Sequence, residues 1–281
     1  MITRVITALV LFAFLAVLIS SPNWIMVLVC EVIVFIGVYE WSKISKMNEI
    51  EQGITMLLFM LFTIISVTNY LGVFELMGIF GIFNLLPFLT ISNIFKLQNL
   101  IIITVAIFWL TYAPYALYKK VKINVGLKSR FFGFYLFSGV VLSLIFLIDH
   151  SIKYLLITMA ITIIGDIAAF FIGKYFGQLQ LTIISPKKTY EGLVAGLIGV
   201  IFIGSFLITK YLGIYWVTAI FISLFTGIAA VFGDLFISLA KRWAGVKDSG
   251  KILPGHGGIL DRIDSLLAAL PVFATLIILL S

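Results

Sequence analysis

Residues 238–264, SLAKRWAGVKDSGKILPGHGGILDRID, concentrate the side chains of this sequence that could do chemistry. Lys241, Arg242, Lys247, Lys251, Arg262 and His256 stand there with Asp248, Asp261 and Asp264, and Asp234 lies just upstream. Gly257 and Gly258 end a Gly-His-Gly-Gly run, the composition of a tight turn whose backbone approaches other groups closely. Such a turn can form a concave nest of N–H groups for a phosphate. Mixed charge and glycine between two long apolar runs points to chemistry on a phosphate.

The spacing sharpens this expectation. Asp234, Ser238 and Arg242 recur every fourth residue and are expected on one helical face. Asp261, Asp264 and Ser265 do the same where the next apolar run begins. Two carboxylates converging on one cavity repel unless a cation lies between them. With a phosphate substrate, hard oxygen donors point to Mg²⁺; the competing reading is a network of Asp with Lys241, Arg242 and Arg262. His256 has only His150 as a fellow histidine, far along the chain, so a zinc site is not expected. It either donates to a phosphate or closes the turn.

Two further stretches carry polar groups. In Ser185–Gly192, SPKKTYEG, Pro186 makes a turn and Lys187 and Lys188 precede Thr189, where a helix starts. Helix N-termini bind anions through free N–H groups and the dipole; the plainer reading is a capped helix start with a basic flank. Glu191 lies in the first turn of that helix. The phosphate loop G-x-x-x-x-G-K-[ST] is absent. Asp166 lies within an apolar run, where an unpaired carboxylate costs several kcal/mol, so a cation, a metal or a polar cavity must accompany it. Gly165, Gly173 and Gly177 allow close helix contacts.

The elements that position these residues must be membrane helices. Hydrophobic residues make up 62% of the chain and charged residues 11%, against about 25% charged in a soluble domain. The fold class is therefore all-α, polytopic membrane protein. Hydropathy places spans near 3–20, 24–41, 53–72, 99–118, 132–149, 153–173, 191–209, 214–237 and 263–280. Residues 2–20 are read as a first span rather than a signal peptide, because another apolar run follows at once. The segment 76–95 is apolar but broken by glycines and Pro87. Leaving it interfacial or re-entrant collects nearly all Lys and Arg on one side, with only Lys96, Lys153 and Lys210 opposite. The positive-inside rule then prefers nine spans, N-terminus cytoplasmic and C-terminus outside. Residues 1–118 form an N-terminal transmembrane region. Residues 119–281 form a catalytic transmembrane region with cytoplasmic loops 174–190 and 238–262. The net charge of +7 suits anionic lipid and an anionic substrate and does not by itself indicate nucleic acid. Cys30 is the single cysteine, so there is no disulfide framework and no thiolate metal site. Glu40, beside Trp41, reads as an interfacial anchor; Glu31 lies deeper and has no partner that the sequence names.

The run 238–264, with G-D-L at 233–235, S-P-K-K-T-Y-E-G at 185–192 and G-D-I-A-A-F at 165–170, resembles the signature of the phosphatidate cytidylyltransferase (CDP-diacylglycerol synthase) family. The resemblance lies in motifs of the C-terminal half. It implies the reaction of CTP with phosphatidate to CDP-diacylglycerol and pyrophosphate, on the cytoplasmic side of a bacterial inner membrane. It implies a metal site at Asp234 and Asp261, with Mg²⁺ and K⁺ as a further candidate. Asp234, Asp261, Lys241, Arg242 and Arg262 are the expected catalytic residues, and Lys188 is expected to join the cations in clamping phosphates. Ser185, Thr189, Glu191, Lys247, Asp248, His256, Gly257, Gly258, Asp264 and Asp166 are expected to bind or orient substrate. The expected partners are CTP, phosphatidate and the bilayer, with a homodimer as a candidate assembly and no nucleic acid. Two alternatives use similar parts: a CTP-dependent lipid kinase and a transporter of a phosphorylated metabolite.

Overall fold

The computed structural model describes residues 17–72, 91–121, 127–252 and 257–280. Most of the expected first span, most of the segment 76–95, part of the basic linker and His256 lie outside the described residues. Among the described residues the fold is helical, and the only β pairing is an isolated bridge between Gln180 and Thr189.

The helices follow the apolar runs. They are α1 (Asn23–Ile44), α2 (Glu49–Tyr70), α3 (Ile91–Ile107), α4 (Ala113–Lys119), α5 (Leu127–His150), α6 (Ile152–Phe176), α7 (Tyr190–Gly199), α8 (Ser205–Leu212), α9 (Trp216–Ala244) and α10 (Leu260–Ile278). Widened π turns at Phe108–Tyr112 and Val200–Gly204 join α3 to α4 and α7 to α8. Among the described residues seven helices are long and apolar enough to cross a membrane. They are α1, α2, the α3–α4 unit from Lys96, α5, α6, the α7–α8 unit and α9. Asp261, Arg262 and Asp264 crowd the first turns of α10, which is otherwise apolar.

Polar sequence marks the helix ends. Asn48 accepts the Glu51 N–H at 2.8 Å while the Glu51 carboxylate accepts the Asn48 N–H at 3.1 Å, a reciprocal capping box that starts α2. Glu51 also holds Arg130 of α5 at 3.3 Å.

At the centre is α10, which packs against α9, α3, α5, α6 and α1. Its Leu267, Ala268, Phe273 and Ala274 are at most 1% exposed. The rotation of α9 is set by Phe236, which is buried edge-on against Trp109, with centroids 5.5 Å apart, and against Phe108 at 5.7 Å. A residue two positions away lies roughly 200° around a helix, so anchoring Phe236 turns Asp234 toward the opposite side.

The glycines of α6 and α7 are used inside the chain. A Cβ on Gly192 would lie 2.7 Å from the Ala169 carbonyl oxygen and 3.2 Å from the Gly173 Cα, and one on Gly196 would lie 2.9 Å from the Gly165 carbonyl oxygen. Small residues four apart let two membrane helices touch along their backbones. Gly192→Ala is therefore expected to lower stability by about 1–3 kcal/mol through overpacking. The check is the thermal unfolding midpoint in detergent, and an unchanged midpoint would refute the close contact.

Candidate active site

Three segments converge at one polar end of the bundle: the 177–190 hairpin, the last turns of α9, and the start of α10. The hairpin is closed by backbone hydrogen bonds from Leu181 N to Lys188 O at 2.8 Å and from Tyr190 N to Leu179 O at 2.9 Å. Glu191 accepts the Leu179 N–H at 3.2 Å, and Thr189 caps α7 by accepting the Gly192 N–H at 3.1 Å. Glu191 and Thr189 thus hold the hairpin, and with it Lys188, which donates to Asp234 of α9 in an ion pair. Asp234 also accepts from Ser238 Oγ at 3.3 Å. The Lys188 and Asp234 side chains are 28% and 24% exposed, open enough for a substrate to meet them.

The second pair is more enclosed. Lys241 donates to Asp261 Oδ1 at 2.6 Å, and the two side chains are 10% and 8% exposed. Asp261 Oδ2 accepts the N–H groups of Ser249, at 2.8 Å, and Gly258, at 3.0 Å. Asp261 stands ahead of the apolar part of α10. Burial pushes its carboxyl up, but the hydrogen bonds from Lys241, Ser249 and Gly258 outweigh that and hold it below the usual carboxylate range. Gly257 takes φ +82°, a left-handed conformation that favours glycine, and so turns the chain into α10.

The remaining expected residues divide. Asp166 lies within electrostatic reach of Asp234 and Lys188, and Asp264 within reach of Asp234, Lys241 and Lys188. Ser185 accepts the Lys188 N–H through its carbonyl at 3.0 Å. Arg242, Arg262, Lys247 and Asp248 are exposed. Arg242 reaches the same hairpin as Asp234 but farther around α9: its Nε–H donates to the Ile184 carbonyl and its NH1 to the Val246 carbonyl, each at 3.4 Å. Each four-residue step turns about 40° beyond a full revolution, so two steps carry Arg242 roughly 80° away. Lys241, seven residues after Asp234, falls within roughly 20° of it; that spacing was legible. Because α9 runs on to Ala244, residues 238–244 are helix rather than loop.

Sequence reasoning missed Glu40 of α1. The residue is 1% exposed and accepts from Ser249 Oγ at 2.7 Å, Ile259 N at 3.1 Å and Leu260 N at 2.8 Å. It is an acceptor for the start of α10, not an interfacial anchor, because helix packing removes it from solvent. A carboxylate inside an apolar helix was the available signal, without its partners. For Glu31, also buried, no hydrogen-bond partner reaches Oε1 among the described residues.

Between α6, α7 and α9 lies a cavity of about 270 Å³. Ile161, Leu193, Leu197 and Val231 line its apolar part, and Asp166, Lys187, Lys188 and Thr189 its polar part. This arrangement can hold an amphiphile with its anionic group at the lysines.

The comparisons with known proteins agree with these motifs. A family model described as "Cytidylyltransferase family" matches residues 2–280. The chain is 52% identical over 114 residues to phosphatidate cytidylyltransferase 4, chloroplastic, of Arabidopsis thaliana, covering 39% of this chain and 28% of the relative. It is 46% identical over 109 residues to a phosphatidate cytidylyltransferase of Helicobacter pylori, covering 39% and 41%. With the phosphatidate cytidylyltransferase of Rickettsia bellii it shares 36% identity over 190 residues, covering 60% and 81%. The match thus spans well under half the length of the Arabidopsis and Helicobacter relatives.

Proposed function

This chain belongs to the cytidylyltransferase family, and from that membership we propose that it transfers the cytidylyl group of CTP to phosphatidate. A phosphatidate oxygen attacks the α-phosphorus of CTP and forms the new P–O bond. The bond from that phosphorus to the β-phosphate oxygen breaks, giving CDP-diacylglycerol and pyrophosphate. The lipid phosphate is itself the nucleophile, so the protein needs to supply positioning and charge neutralisation rather than a Ser, Cys or His nucleophile.

The observation that carries this reading is the cavity with an apolar wall and one end lined by Lys187 and Lys188, the latter paired with Asp234. Acyl chains favour the apolar wall, and Lys188 and Lys241 would clamp the phosphates, joined by Arg242 and Arg262. Ser185, Thr189 and Glu191 would hold the hairpin side of the site; Lys247, Asp248, His256, Gly257, Gly258, Asp264 and Asp166 would orient substrate or loop.

The donor set fits Mg²⁺. Asp234 and Asp261 are hard oxygen donors that each already attract a cationic side chain. Mg²⁺ commonly takes one or two carboxylates and completes its shell with phosphate oxygens and water. Among the described residues no cluster of three or more protein ligands forms, as such a substrate-completed site allows. Bound there, the ion would supply charge neutralisation at the phosphates, and K⁺ is a further candidate.

Nine spans, with the N-terminus inside, would place this site at the cytoplasmic face, in the inner membrane of a bacterium. The sidedness of Lys and Arg supports that topology, and the Helicobacter and Rickettsia relatives support the bacterial source.

The test is product analysis with the purified chain in detergent, supplied with CTP, phosphatidate and Mg²⁺. Pyrophosphate release that needs both substrates and the metal, and is lost in Asp261→Asn, is the expected outcome. CDP instead of pyrophosphate would identify the lipid kinase, and neither product the transporter.

A further inference from the structure

Among the described residues, Glu40 is a carboxylate from the N-terminal half that reaches the segment carrying Asp261. The α10 helix begins after Ile259, whose own side chain cannot cap it. The first N–H groups of a helix have no partner within the helix, and they form its positive end. Glu40 accepts two of them, from Ile259 and Leu260, across some 220 residues of sequence. It supplies from another helix the acceptor that the local sequence lacks.

The same two loop residues are gripped from both sides. Ser249 donates its hydroxyl to Glu40 and its N–H to Asp261. Gly258 donates its N–H to Asp261 while its Cα packs so tightly on Glu40 that a Cβ there would overlap both carboxylate oxygens. A Cβ on Gly250 would overlap the Glu40 carboxylate as well. Both described ends of the 249–260 segment are therefore moulded on Glu40, and Asp261 takes its two backbone hydrogen bonds from those ends.

We propose that Glu40 is a positioning residue: it fixes Ser249 and Gly258–Leu260 so that Asp261 is presented to Lys241 and to the reacting phosphates at one set angle. It makes no substrate contact itself. Partners that orient a functional carboxylate are typically worth about 10–100-fold in activity or metal affinity. The kinetic part of this inference rests on the cytidylyl-transfer reading, whereas the positioning part does not.

The experiment compares the full chain with Glu40→Gln and Ser249→Ala in detergent, by hydrogen–deuterium exchange and by pyrophosphate release. Gln keeps the shape but points an amide donor where an acceptor is needed. Faster exchange at the amides of Gly258–Asp261 is expected in Glu40→Gln, because local opening there becomes easier. In that variant kcat should fall by about 10–100-fold, while KM for CTP and for phosphatidate stays near its wild-type value. Ser249→Ala, which removes one donor and leaves Glu40 in place, should shift both readouts in the same direction by less. Unchanged protection in both variants, or a loss confined to KM, would overturn the proposal. If Glu40→Gln fails to fold, Ser249→Ala decides alone, and wild-type protection and kcat in it count against Glu40. A wild-type chain without pyrophosphate release would sink the transferase reading and leave the exchange result to decide the positioning role.

Discussion

Lys241→Met is expected to remove about 3–5 kcal/mol of stability, the usual cost of leaving one partner of a buried pair uncompensated. The residue is 8% exposed, and its ammonium group is 2.6 Å from Asp261. Without it the Asp261 carboxylate keeps, among the described residues, the two N–H donors of Ser249 and Gly258. Adding Asp261→Asn removes the stranded charge, while Asn can still accept both N–H groups through its carbonyl oxygen. The double variant should recover a substantial part of the lost stability. It should recover no pyrophosphate release, because a proposed phosphate clamp and the proposed metal ligand are both gone. Chemical unfolding in detergent gives the first quantity and product release the second. A double variant that turned over at nearly the wild-type rate would show the pair to be structural and sink its place in the reaction.

Gly258→Ala is the second large effect. The added Cβ would overlap the Ser249 hydroxyl and both oxygens of the Glu40 carboxylate, two groups already joined by a 2.7 Å hydrogen bond. Neither is the free end of a flexible side chain, since Glu40 is held by Ser249, Ile259 and Leu260 together. The loop must move, and the Gly258 N–H moves away from Asp261 with it. A displacement of 1 Å at a reacting group can cost about 10²-fold, and a fall in kcat of that order is expected. Circular dichroism on the same sample should show helix content unchanged, because the strain falls on a turn. Wild-type kcat in Gly258→Ala would show that the loop relaxes without carrying Asp261, and would weaken the case for Glu40 as well.

Much of this fold was legible because lipid imposes one solution on an apolar run of about 20 residues: its backbone must bond internally, as a helix. The apolar runs predicted near 24–41, 53–72 and 132–149 appear as α1, α2 and α5, each extended by a few residues, with the capping box at Asn48 carrying the extension of α2. The residue types of the site were legible for a related reason. Carboxylates and lysines are costly in such a chain, so those present in 185–192 and 234–264 stood out. Which lysine meets which carboxylate was not. Lys188 and Asp234 come from different segments, and their meeting depends on the hairpin that Thr189 and Glu191 close.

Sequence alone determined that this chain is a bundle of membrane-length helices with a polar cluster of Lys and Asp, because both follow from local composition and spacing. Tertiary structure decided that Lys188 meets Asp234 and Lys241 meets Asp261, and that Glu40 holds the start of α10. Those outcomes depend on how far each helix is rotated and on what packs across it, and Glu40 meets partners more than 200 residues away. No local pattern encodes a contact at that range; only the packing of α1 against α10 does.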